Sequence, residues 1–342
     1  MPEAVKSKQC SLVRARVRVP CSTSNLGAGF DCVGLALDRY LEAWYEPAEH
    51  GMEVVREGTL AGIALEPAED AFVQAFAHRL SRMRIEPRGI LRVTSEIPVG
   101  RGLGSSAAAR VAGYLLAEAA LGGESAYGEG WAHTFHAFLY AAGAEGHPDN
   151  AAPCALGGLI AAVAPMPPPS DLEKPPPRTK RGSYPLTLAT MKLPLSADIG
   201  WAYAAPAAGI STEAARRALP ATVTRAEAVD AIRRMPPLLR GLESADRGML
   251  AFGFDDRFHV PYRLPLIPGG SEAMRAGCEA GAWAVTISGS GSGLIAVCGR
   301  GDEVAVADAM AEAFRAHDAG AARDVVGFAL SPDRAGAQIL PP

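Results

Sequence analysis

The chain has 342 residues, 49% of them hydrophobic, with a formal charge of −4 and a pI near 6.0. That length buries a full core and suits two domains, while the mild negative charge gives no cationic field to attract nucleic acid. Apolar runs fall short of the roughly 20 residues a membrane helix needs, and the N-terminal stretch has no unbroken apolar core of the kind a secretion signal carries. Six cysteines (Cys10, Cys21, Cys32, Cys154, Cys278 and Cys298) are scattered without a CxxC pair, so reduced thiols in a soluble, cytoplasmic protein are expected.

In chain order, Val13, Ala15, Val17 and Val19 alternate with Arg14, Arg16 and Arg18, the period of a strand with one buried face, and Pro20 is expected to end it. A helix is expected over Ala68–Met83. Leu91–Ile97 reads as a strand running into Pro98 and a glycine-rich turn, and Ser105–Leu121 as an alanine-rich helix stopped by Gly122-Gly123. Further helices are expected over Trp131–Ala142, Thr212–Ala218 and Ala226–Met235, the last preceded by Thr224 and Glu227 at capping-box spacing. Pro165–Pro185 is rich in proline and charge and reads as an exposed connector at a domain boundary. Beyond it, Trp283–Ser288 and Leu294–Cys298 read as strands around the turn Gly289–Gly293, Val304–Phe314 as an amphipathic helix and Gly336–Leu340 as a last strand. His133 and His136 are three apart on a helical stretch, but no third ligand stands at recognisable spacing, so a structural or surface role is expected.

The segment Pro98-Val-Gly-Arg-Gly-Leu-Gly-Ser-Ser-Ala-Ala-Ala109 is the most informative. Gly100, Gly102 and Gly104 permit a turn whose amides approach a bulky anion, and the following helix aims its unpaired N–H groups and positive dipole end at the same spot. Glycine count alone is equally consistent with an ordinary strand-to-helix turn. No lysine follows as in a Walker A loop, and the spacing G-x-G-x-G is not the dinucleotide fingerprint. The loop is a phosphate cradle of another type.

This segment resembles the second signature of the GHMP kinases. Pro20-Cys-Ser-Thr-Ser-Asn-Leu-Gly-Ala-Gly-Phe-Asp31 resembles the first signature and Thr286-Ile-Ser-Gly-Ser-Gly-Ser-Gly293 the third, in the same order. The resemblance runs from about Val13 to Leu340, outside the connector. It implies an α+β fold of two domains: an ATP-binding domain over 1–170 similar to ribosomal protein S5 domain 2, a connector over 171–185, and a ferredoxin-like domain over 186–342. Within the family, Ser24–Leu37, Glu145–Pro153, Ser211–Pro220 and Pro261–Pro268 resemble the branch that phosphorylates L-homoserine, a step of threonine biosynthesis.

The resemblance implies roles for particular residues. Pro98, Gly100, Arg101, Gly102, Leu103, Gly104, Ser105, Ser106 and Ala107 would bind ATP. Ser106 and Glu145 would ligate Mg²⁺, and Asn25, Asp31, His147, Asn150, Arg216 and Arg263 would face the substrate. Homoserine is a zwitterion with a terminal hydroxyl, and a carboxylate for its ammonium with arginines for its carboxylate suits it. Arg216 would also offset charge on the moving phosphoryl group, and Asp149 is a candidate acceptor for the hydroxyl proton, although direct transfer to a phosphate oxygen needs no base. The family often has Asn where Asp70 stands, against the adenine, so Asp70 is expected at the nucleotide. Alternatives are a kinase of the same family acting on another alcohol, or a nucleotide-binding regulator without turnover. The oligomeric state is left open, a homodimer included.

Overall fold

The computed structural model describes residues 12–122, 131–163 and 189–342. The chain begins with β1 (Ala15–Ser24), β2 (Val33–Glu46), β3 (Met52–Gly58), α1 (Ala71–Ser81) and β4 (Gly89–Ser95). It continues with α2 (Ser105–Ala120), α3 (Trp131–Glu145), α4 (Ala151–Leu156), β5 (Leu159–Val163), β6 (Ala189–Leu193) and β7 (Ile199–Ala205). The remainder is α5 (Thr212–Arg217), α6 (Arg225–Ser244), α7 (Arg247–Phe254), α8 (Val260–Arg263), α9 (Gly270–Glu279), β8 (Ala284–Ile287), β9 (Leu294–Gly299), α10 (Glu303–His317), β10 (Val326–Leu330) and β11 (Gln338–Leu340).

β1 starts as the alternation dictates. Val17 and Val19 are buried, while Arg16 and Arg18 lie over the rings of Trp44 and Tyr40 on the opposite face. Pro20 does not end the strand as expected: the register against β2 shifts between Pro20 and Cys21, and pairing resumes from Cys21 to Ser24. A proline has no N–H for the ladder, and a bulge is where a sheet tolerates it. The continuation carries Ser22, Thr23 and Ser24, all buried, toward the glycine loop.

Two sheets organise the described residues. The first has the order β11-β1-β2-β4-β3, with β5 pairing the start of β2 and β6 pairing β5. The second is antiparallel, β10-β7-β9-β8, and its chain order β7, helices, β8, β9, α10, β10 is the βαββαβ pattern of ferredoxin-like domains. The expected domain limits need correction. β6 and β11 fall within 186–342 yet belong to the first sheet, because β6 pairs with β5 and the end of the chain returns to pair β11 along β1. The connector 171–185 lies outside the described residues. β7 is buried on both faces: Trp201 and Tyr203 join the core under the first sheet, and Ala202 and Ala204 pack with Met310 and Phe314 of α10.

α6 also runs past its expected end at Met235, through Pro236 and Pro237 to Ser244. An interior proline costs about 3 kcal/mol, and burial of Leu238, Gly241 and Leu242 beyond it opposes that cost. The capping box of Thr224 and Glu227 is formed. Among the described residues no cluster of three metal-ligating side chains occurs, and buried His133 faces Glu118 instead.

Candidate active site

The glycine loop joins β4 to α2. Gly100, Gly102 and Gly104 have φ of 70°, 83° and 62°, the left-handed region that side chains disfavour. Gly102 is further constrained, since a Cβ there would collide with the carbonyl of Ser288 in the third glycine segment. Ser288 Oγ donates to the Gly102 carbonyl at 2.7 Å and shares a hydrogen bond with Thr23 at 2.8 Å, so the three signature segments meet here. Gly104 caps α2 without a side-chain hydrogen bond. The amides of the first turn are therefore left for a ligand, where the helix dipole favours an anion.

Gly100, Gly102, Gly104, Ser105, Ser106 and Ala107 line one side of a cleft of about 310 Å³. Pro98, Arg101 and Leu103, expected at the nucleotide, do not line it. Leu103 is buried in the core, and Arg101 Nη1 donates to the Asp324 carbonyl while the Arg101 carbonyl accepts from Tyr203. Arg101 and Leu103 thus anchor the loop from the side away from the cleft.

Across the cleft stand Asp31, Arg216 and Arg263. Arg216, on α5, makes a two-pronged contact with Asp31 at 2.9 and 3.1 Å. Arg263 is 2% exposed, donates to the carbonyls of Ala215 and Gly289 at 3.2 and 3.3 Å, and lies over the ring of Phe30. Burial, and then the neighbouring Arg216, pull its pKa below the usual arginine value. The acceptors of these two bonds are neutral carbonyls, and the nearby carboxylates of Asp31, Asp149 and Asp256 act on it through space, so an arriving anion would find a guanidinium with no carboxylate hydrogen-bonded to it among the described residues. Asn25 lines the cleft, but its side chain is committed to Gly289 O at 2.7 Å and the Asp31 amide at 2.8 Å. It shapes the loop that presents Asp31.

The segment after α3 supplies the third wall. Glu145 Oε1 accepts from Ser106 Oγ and from Arg110 Nε, both at 2.7 Å. A carboxylate and a hydroxyl oxygen side by side at a phosphate cradle suit Mg²⁺, which usually takes one or two carboxylates and completes its shell with phosphate and water. His147 lines the cleft, and its Nδ1 lies 2.6 Å from Asp149 Oδ1. Asp149 is 1% exposed and does not line the cleft, so it cannot reach a substrate hydroxyl as the expected proton acceptor. It orients His147. Burial opposes charge on both groups, but their mutual hydrogen bond and attraction outweigh it, raising the histidine pKa and lowering that of the carboxyl. Asn150 accepts from Ser22 and donates to Ser24 at 2.9 and 2.8 Å, tying α4 to β1 at the cleft floor.

Asp70 lines a second cavity of about 250 Å³ that meets the cleft at Val99, Ser105 and Ser106. Its carboxylate caps α1 and pairs with Arg56, so it is not a free polar group as an adenine contact would require. Ser211, Thr212 and Ser290 line the main cleft and were not singled out from the sequence. Ser211 and Thr212 stand in the same matched segment as Arg216, but N-cap serines are common enough to give no separate signal.

The GHMP kinases N terminal domain matches residues 70–158, and the GHMP kinases C terminal domain matches 228–316. The chain belongs to the GHMP kinase family. ATP is the phosphoryl donor of such kinases. Relatives of this GHMP kinase include the homoserine kinase of Gloeobacter violaceus, 36% identical over 86% of this chain and 91% of that protein. That of Moorella thermoacetica is 37% identical over 87% and 92%. The crystal structure of homoserine kinase from Cytophaga hutchinsonii superposes with a TM-score of 0.77 at 25% identity, covering 99% of this chain and 100% of that one. L. major mevalonate kinase, solved with R-mevalonate, has a TM-score of 0.65 at 14% identity over 97% and 99% and shares the fold.

Proposed function

We propose that this GHMP kinase is a homoserine kinase, transferring the γ-phosphoryl group of ATP to the side-chain hydroxyl of L-homoserine. The products are ADP and O-phospho-L-homoserine, and the step belongs to threonine biosynthesis in the cytoplasm. The observation that carries this reading is the pairing, across one cleft, of a phosphate cradle with Asp31, Arg216 and buried Arg263. A carboxylate and two guanidinium groups complement an amino-acid zwitterion; mevalonate or a sugar has no ammonium to use Asp31.

Arg263 holds the substrate carboxylate, and Asp31 the ammonium. Arg216 is drawn from Asp31 toward negative charge as substrate enters, and it neutralises the phosphoryl group in transit. The amides of Ser105, Ser106 and Ala107 hold the phosphates, and Ser106 and Glu145 hold Mg²⁺. The metal, when bound, supplies charge neutralisation on the phosphate oxygens. His147, fixed by Asp149, borders the reacting hydroxyl. Alignment and charge account for most of what phosphoryl transfer asks of a protein.

Purified protein with ATP, Mg²⁺ and L-homoserine should release ADP and phosphohomoserine in equal amounts. A panel including mevalonate and galactose should give little. No ADP above blank with homoserine would overturn the reading.

A further inference from the structure

The second cavity is walled by Leu41, Ile63, Phe72, Val93 and Ala109 and opens at the first turn of α2. An apolar slot of about 250 Å³ beside a phosphate cradle fits a flat, hydrophobic ring system attached to the phosphates. The polar groups at its end decide which ring. Asp70 Oδ1 accepts from the amides of Phe72 and Val73 at 2.8 and 3.2 Å, and Oδ2 accepts from Arg56 Nε and Nη2 at 3.1 and 2.5 Å. A carboxylate has about four lone-pair sites. All four are taken, so Asp70 has no acceptor left for an exocyclic amine. Arg56 is only 16% exposed, and its Nη1 makes no hydrogen bond among the described residues.

We propose that Arg56 is a nucleobase-specificity residue: its guanidinium donates to an acceptor on the purine edge, and the saturated Asp70 removes selection for the 6-amino group. The proposal rests on the kinase reading above. Adenine offers ring nitrogens to such a donor, whereas guanine and hypoxanthine offer ring nitrogen and a carbonyl oxygen, the partners that arginine reads well. GTP and ITP therefore serve as phosphoryl donors within about tenfold of ATP, since one hydrogen bond separates them. Replacing Arg56 by Leu frees two acceptor sites on Asp70 Oδ2, which turns the end of the slot from donor to acceptor and reverses the preference.

The test measures kcat/KM for ATP, GTP and ITP at saturating homoserine, and calorimetric affinities for ADP and GDP, in the parent protein, Arg56→Leu and Arg56→Lys. In the parent, the ATP to GTP ratio should lie below about ten, with the ADP and GDP affinities equally close. In Arg56→Leu the ratio should rise at least tenfold toward adenine while KM for homoserine is unchanged, and Arg56→Lys should fall between. A merely structural role would weaken both nucleotides alike, and that result overturns the proposal. So does a parent preference for ATP above about a hundredfold, including one that collapses in Glu69→Gln, which would move base reading to the exposed carboxylate at the same cavity. Turnover with ATP but not GTP sinks this inference alone, whereas no turnover with any nucleotide sinks the kinase reading.

Discussion

The glycine-loop end of the cleft is built from a single segment, with Gly100, Gly102, Gly104, Ser105, Ser106 and Ala107 on its wall, whereas the opposite end presents charged side chains from distant segments, Asp31, Arg216 and Arg263. A backbone cradle is insensitive to most side-chain changes but depends on glycine conformations. A side-chain site depends on the identity of each group and on the fold that brings the groups together. The two ends should therefore fail differently when altered.

The largest effect is expected at the side-chain end. Arg263→Ala removes a buried cation that would hold the substrate carboxylate, a loss of about 2–5 kcal/mol. KM for homoserine should rise at least about thirtyfold with KM for ATP nearly unchanged, as steady-state kinetics with each substrate varied would show. Equal effects on both would make Arg263 structural. At the backbone end, Gly102→Ala meets the Ser288 carbonyl at φ 83°. It should lower stability by about 1–3 kcal/mol and raise KM for ATP rather than for homoserine, as denaturant unfolding and kinetics would show. Wild-type stability in this variant would refute the claimed collision.

Ser106→Ala is expected to reduce kcat by about tenfold, the scale of one lost polar contact, and to raise the Mg²⁺ concentration needed for half-maximal rate. An unchanged Mg²⁺ requirement would remove Ser106 from the metal site. The smallest effect concerns His147 and Asp149, which stand between the two ends. The histidine pKa is raised above 6.5. Its contribution to stability is thus fully present below pH 6.5 and lost as pH rises through the raised value. Asp149→Asn should bring the His147 titration, followed by NMR, back down toward the usual range, with kcat falling modestly. No movement of that titration would break the link between the pair.

The glycine loop was legible because its conformation is written in consecutive residues: three glycines before a proline-free helix imply both the turn and the dipole. Strand β1 is legible in its first half, but its continuation past Pro20 is not, because the sheet absorbs the proline in a bulge. β7 gave no period because both its faces are buried. Asp149 has the polarity of a proton acceptor, but its burial, invisible in sequence, denies it the cleft.

Sequence by itself determined the glycine loop and the helix behind it, the family resemblance and the identity of the charged residues in the matched segments, since local propensity and motif order are properties of the linear chain. Tertiary structure decided which of those residues share one cleft, that Asp31 is held by Arg216 and Asp70 by Arg56, and that Leu103 and Asp149 point away. Burial and pairing arise between segments more than a hundred residues apart, as Asp31 and Arg216 are, and only the packed sheets fix those distances.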